Sequence, residues 1–112
     1  MMVYKGEIWL INLNPIKKNN EMGKVRPAII FQNNLLNHNY PTTIIIPLST
    51  HLIDNAEPIR YRITKRDKLL QDSDAVLTQI RAIDNSRFIE KLGELSSFEF
   101  NKLKELLNEI ID

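Results

Sequence analysis

Two short stretches of the chain carry groups able to act on a phosphate. The first is Glu21-Met-Gly-Lys-Val-Arg26-Pro27, a carboxylate, a glycine and two cations at the approach to an apolar run. Gly23 lets the backbone come close to a bound group. Pro27 has a fixed φ, so Arg26 is carried at the edge of a stiff segment rather than on a loose tip. A guanidinium fork suits phosphate because it makes two parallel charge-assisted hydrogen bonds. The alternative is a surface Arg in a salt bridge beside a strand-starting Pro, and these residues alone leave both open. The second stretch, Pro47-Leu48-Ser49-Thr50, ends another apolar run on adjacent hydroxyls. Hydroxyls there can cap a turn or donate to a phosphate oxygen. Farther on, Gln79 and Arg81 alternate onto one face of an apolar segment. A Gln in that place can read a base edge or satisfy an unpaired backbone group.

Other chemistries find no residues to carry them. His38 and His51 fall in different loops, and the chain has no Cys. That leaves no metal-ligand set of ordinary spacing and no thiol, disulfide or iron–sulfur chemistry. There is no Gly-rich phosphate loop and no nucleophile-elbow motif. Ser49, His51 and Asp54 have the residue types of a hydrolytic triad, but they share one loop, and triads are assembled from separated elements. No cofactor is expected.

The positioning elements follow from hydropathy. A chain of 112 residues with sixteen Ile and fourteen Leu holds one domain with one sizeable core. Residues 7–13 are apolar beyond strict alternation, as in a strand buried on both faces. Asn14 and Pro15 stop it, and 16–25 form a long polar loop. Residues 26–32 and 42–48 give the next strands, with a helical turn at 34–37 between them. Pro47 cannot donate to a ladder, which places an interruption or bulge near the end of the third strand. Residues 49–57 form a second irregular loop. Residues 58–63 alternate, with Ile59, Tyr61 and Ile63 opposite Arg60 and Arg62. Residues 66–71 read as one helical turn and 74–83 as one continuous fifth strand. A short sixth strand at 88–92 ends at Gly93. Ser96-x-x-Glu99 has capping-box spacing before a helix to 111, with Phe100, Leu103, Leu107 and Ile110 as its apolar stripe. Short strands followed by a terminal helix predict a mainly β, α+β fold: a small, strongly curved antiparallel sheet or partly open barrel with helices outside.

The net charge is +1, yet residues 1–83 carry +4 and residues 84–112 carry −3. A basic body with an acidic tail can meet a polyanion on one face. The N-terminus has no apolar stretch of signal-peptide length. The apolar run at 44–48 is far short of the roughly 20 residues that span a bilayer. A cytoplasmic protein is expected.

Several motifs then recur together. Gly6-Glu7-Ile8-Trp9-Leu10, Leu13-Asn14-Pro15, Glu21-x-Gly23-Lys24-x-Arg26-Pro27-Ala28 and Gln32-Asn33 stand in order. Thr42-x-Ile44, Ser49-Thr50, Gln79-Ile80-Arg81-x-Ile83-Asp84 and Arg87 follow. In order and spacing this pattern resembles the MazF/PemK family of toxin endoribonucleases across nearly the whole chain. The resemblance implies a single toxin domain over residues 1–112, an SH3-like small barrel with a C-terminal helix, and a homodimer. It also implies metal-independent cleavage of single-stranded RNA and inhibition by a cognate, MazE-like antitoxin. By position, Arg26 matches the family's catalytic Arg, and Ser49 its catalytic hydroxyl, which is Thr in many members. Glu21, Gly23, Lys24, Pro27, Thr50, Gln79 and Arg81 are the expected RNA contacts.

Chemistry agrees with that expectation. RNA supplies its own nucleophile, the 2′-hydroxyl beside the scissile phosphate. The protein must hold the nucleotide in line and stabilise charge on the phosphorane. The products would be a 2′,3′-cyclic phosphate and a 5′-hydroxyl end. Glu21, His51 and water stay open as acceptors of the 2′-hydroxyl proton. One rival shares the fold without catalysis, a CcdB-like toxin that binds DNA gyrase. It has no need of an Arg26–Ser49 pair. A plain SH3-like interaction module would require an aromatic groove, and Tyr4, Trp9, Tyr40 and Tyr61 do not cluster in sequence.

Overall fold

The computed structural model describes residues 2–13 and 25–112. The strands are β1 (Glu7–Asn12), β2 (Val25–Ile30), β3 (Thr42–Ser49), β4 (Arg60–Ile63), β5 (Ser73–Val76), β6 (Arg81–Asp84) and β7 (Phe88–Glu94). Among the described residues there are also two α-helices, α1 (Asn34–Asn39) and α2 (Ser97–Ile111). The strands pair antiparallel in the order β4-β5-β3-β2-β1-β7, and β6 also pairs with β3. The path ends at β4 and β7, so the sheet is small-barrel-like without being closed.

The central strands bury both faces, which explains the lack of strict alternation in residues 7–13. Ile8, Ile29, Ile46 and Leu48 join Leu103 and Leu106 of α2 in one core. Trp9, Ile11, Ala28, Ile30 and Ile45 join Ile83 and Phe88 in a second core on the opposite face. Helix α2 starts as its sequence predicts: the Ser96 hydroxyl accepts from the Glu99 amide at 3.1 Å, and the Glu99 carboxylate accepts from the Ser96 amide at 2.8 Å. Its stripe also includes Leu106, which the predicted set omitted and which is fully buried.

Gly6 bridges strands on either side of it. Its amide donates to the Ile30 carbonyl at 2.9 Å, and its carbonyl accepts from the Leu95 amide at 2.8 Å. This requires φ of +87°, the left-handed region that only Gly enters freely. Glu7 is a buried acceptor next to it. Its carboxylate takes the Tyr4 amide and the Trp9 indole N–H, each at 2.9 Å, and pairs with Lys91 at 3.1 Å. The side chain of Gln32 bonds Asn37 of α1 and accepts from the Ile44 amide, which pins α1 against β3.

Three expectations are corrected. Residues 74–83 are not one strand. β5 pairs with the end of β3 (Leu48 with Ala75), and β6 with its beginning (Ile45 with Arg81). The register shifts by three residues between these ladders, and a 3-10 turn at Leu77–Gln79 absorbs them. Pro47 lies at the same changeover. The Ile44 amide and carbonyl are directed towards the β2 side, to Gln32 and Phe31. By alternation Pro47 faces the side where the partner strand changes, and its missing N–H breaks no ladder. The interruption expected at Pro47 is therefore present. Residues 66–71 are not a helical turn but a tight turn closed by an Arg66–Leu69 bridge, with Asp67 at φ +48°. Gly93 does not end β7, which continues to Glu94. A Cβ at Gly93 would lie 3.3 Å from the Arg66 side chain, so that close approach accounts for the Gly.

Candidate active site

β2 and β3 are hydrogen-bonded neighbours, with Ala28 opposite Pro47. This register places Arg26 and Ser49 at the same end of the pair, one near the start of its strand and the other at the end of its own. Together Val25, Arg26, Pro27, Leu48, Ser49, Thr50 and His51 line a cleft of about 530 Å³. Two stretches far apart in sequence thus meet, as the predicted phosphate chemistry requires.

The two groups are chemically distinct. Arg26 is half-buried on β2, and among the described residues its guanidinium has no hydrogen-bond or ion-pair partner. Other cations are committed: Arg60 and Arg62 to Asp74, and Arg66 to Glu99. Arg87 donates to the Asn12 carbonyl at 2.9 Å. Among the described residues Arg26 thus presents an uncompensated fork to the cleft. The Ser49 oxygen accepts from the His51 amide at 3.2 Å, which occupies one lone pair and leaves the hydroxyl proton to donate elsewhere. Thr50 and His51 are exposed on the same wall.

Pro27 and Thr50 line this cleft as expected. Gln79 and Arg81 do not. Both are exposed, but Arg81 pairs opposite Ile45, four residues or roughly 13 Å along β3 from Ser49. The three-residue shift also breaks the pleat that would have put Gln79 and Arg81 on one face with Ala75. Glu21, Gly23 and Lys24 lie outside the described residues, as does most of the 16–25 loop. Among the described residues no group of three or more His, Asp or Glu side chains could hold a metal ion. No described helix is long and apolar enough to cross a membrane.

A second cleft of about 680 Å³ is lined by Ile53–Glu57 of the turn after Ser49 and by Arg60, Arg62 and Asp74. Asp74 is 1% exposed. It accepts from Arg62 Nε at 2.6 Å, the Ile53 amide at 2.8 Å and Arg60 Nη1 at 3.3 Å. Burial pushes its carboxyl up, and the Arg62 bond, the Ile53 amide and Arg60 outweigh this, leaving the pKa below its ordinary value. The sequence signal for this cluster was the Arg60/Arg62 face of an alternating strand, a pair of cations in need of a carboxylate.

Comparison with known proteins places this architecture. Residues 4–111 match the model of the PemK-like, MazF-like toxins of type II toxin–antitoxin systems. Over 110 residues the chain is 36% identical to Endoribonuclease MazF of Staphylococcus saprophyticus, covering 97% of this chain and 88% of that one. A MazE–MazF crystal structure from Deinococcus radiodurans shares the fold with a TM-score of 0.80 at 17% identity, over 99% of this chain and 96% of that one. A mycobacterial endoribonuclease in complex with its cognate antitoxin does so with a TM-score of 0.71 at 18% identity, over 96% and 91%. The chain belongs to the PemK/MazF family of toxins of type II toxin–antitoxin systems.

Proposed function

We propose that this chain, an endoribonuclease of the toxin family, cuts single-stranded RNA by in-line attack of the substrate's own 2′-hydroxyl, with Arg26 and Ser49 as the catalytic pair. The observation that carries the reading is their meeting in one cleft, where among the described residues Arg26 has no counter-charge and the Ser49 hydroxyl accepts the His51 amide and keeps its proton to donate. Arg26 would bind two non-bridging oxygens of the phosphorane, and Ser49 a third acceptor there or the departing oxygen. Charge develops on those atoms only in the transition state, so preorganised donors lower the barrier. The O2′–P bond forms as the P–O5′ bond breaks, the departing 5′-oxygen takes a proton from water, and the products carry 2′,3′-cyclic phosphate and 5′-hydroxyl ends. Glu21, His51 and water are the candidate acceptors of the 2′-hydroxyl proton, and among the described residues His51 lines the cleft.

Pro27 and Thr50 contact RNA at the cleft in this reading. Gln79 and Arg81 meet the strand farther along β3, and Glu21, Gly23 and Lys24 are further RNA contacts in this reading. The protein acts as a homodimer in the cytoplasm, where transcripts are, and a MazE-like antitoxin silences it. The chemistry calls for no metal, since the nucleophile and the charge stabilisation are both supplied. Purified protein is expected to cut RNA in excess EDTA and to leave 5′-hydroxyl ends that polynucleotide kinase labels without prior phosphatase. Activity lost on chelation and restored by a divalent ion would overturn the mechanism.

A further inference from the structure

We propose that Asp74 is a positioning residue for cleavage, holding the turn at 50–57 in the arrangement that leaves the Ser49 proton free to donate into the cleft. The proposal rests on the reading of Arg26 and Ser49 as the catalytic pair.

Asp74 lines the second cleft, not the Arg26 cleft, so it acts through other groups. Ser49 is its register partner across the β3–β5 ladder. From there its carboxylate reaches the turn by three routes. It accepts the Ile53 amide directly at 2.8 Å. It holds Arg60, whose Nη1 atom also donates to the His51 carbonyl at 2.9 Å. It holds Arg62, whose Nη2 atom reaches Asp54 at 2.9 Å. The His51 peptide is the critical unit. Its carbonyl is tied to Arg60, and its amide donates to Ser49 Oγ at 3.2 Å. A turn free to swing would let the Ser49 hydroxyl donate to a nearby carbonyl instead. A buried carboxylate with two arginines is a poor source of stability compared with apolar packing, because desolvation offsets much of the attraction. At the root of a catalytic turn it supplies fixed direction, which in-line chemistry needs.

The test compares Asp74→Asn with Glu99→Gln, which breaks the pair between Arg66 and Glu99 of α2, neither of which lines either cleft. Each is measured for single-turnover cleavage of a short RNA at saturating protein. Affinity is measured for the same RNA carrying a 2′-deoxy nucleotide at the cut site. Asp74→Asn is expected to slow cleavage by about ten- to a hundredfold, the cost of a misplaced group. Its affinity should stay within about threefold of wild type, because ground-state contacts are intact. Glu99→Gln should cleave at the wild-type rate. If Asp74→Asn does not fold, Arg60→Met replaces it under the same criteria, and Arg60→Lys should recover part of the rate by keeping a bridging cation. Full cleavage by the folded variant, or parallel loss of cleavage and affinity, overturns the proposal. Wild-type protein that cuts no RNA overturns the functional reading and this one with it.

Discussion

At the scale of the residue, the shape of a charge matters more than its sign. Arg26→Lys keeps a cation in the cleft but exchanges a flat fork for a mobile point charge. Loss of one transition-state donor costs about a hundred- to a thousandfold in rate. Arg26→Ala and Arg26→Lys are both expected to lose most cleavage while keeping the wild-type melting temperature. RNA affinity should fall only modestly in Arg26→Lys, because other cations still meet the backbone. Ser49→Ala should be impaired and Ser49→Thr active, since the hydroxyl remains. Cleavage rate against binding constant for each variant is the measurement. Near wild-type cutting by Arg26→Lys would reduce Arg26 to a positioning charge. Undiminished toxicity of Arg26→Ala, with no RNA cutting by wild-type protein, would favour the gyrase-binding alternative.

At the scale of the element, α2 depends on its first turn. Ser96→Ala removes the acceptor of the Glu99 amide and is expected to cost about 1 kcal/mol by chemical denaturation. Glu99 also binds Arg66 through two bonds, at 2.6 and 2.8 Å. The Arg66 bond lowers its pKa from the ordinary 4.5, burial opposes, and the Ser96 amide adds to the lowering. Asp74 is likewise lowered from 3.8. A depressed carboxyl stabilises the fold fully above its unfolded pKa and loses that contribution as pH falls through the folded one. The melting temperature should therefore drop as pH goes below about 4, and Glu99→Gln should flatten that drop. The capping box, the two-faced central strands and the Arg26 and Ser49 stretches were legible in sequence because each is a local pattern. The break between β5 and β6 was not. Residues 74–83 keep an unbroken strand-like pattern, and the break lies where β3 changes partner beside Pro47 and where Leu77 turns into the core. The Asp74 clamp was hidden for the same reason: its partners lie on β4 and in the turn after β3.

At the scale of the whole molecule, a cleft formed by one chain of net charge +1 offers a short path for a polyanion. Two copies side by side would lengthen it, and apolar side chains stand ready to be covered. Leu35, Leu36, Tyr40 and Ile44 are exposed around α1 and β3, and Phe98 and Ile111 on α2. Sedimentation at micromolar concentration is expected to give twice the 13.1 kDa chain mass, and a stable monomer would contradict this. The pairing of Glu7 with Glu94 between β1 and β7 has a consequence for the timing of synthesis. The two strands that bring Arg26 and Ser49 together emerge early and lie close in sequence. The carboxylate that locks the turn comes later, and β1 gains its second neighbour only once β7 has been made. Contacts of such long sequence separation form slowly, and translation at roughly 5–20 residues per second places a few seconds between Ser49 and Glu94. A growing chain therefore holds the parts of the proposed cutting site before β7 is there to complete the sheet around them.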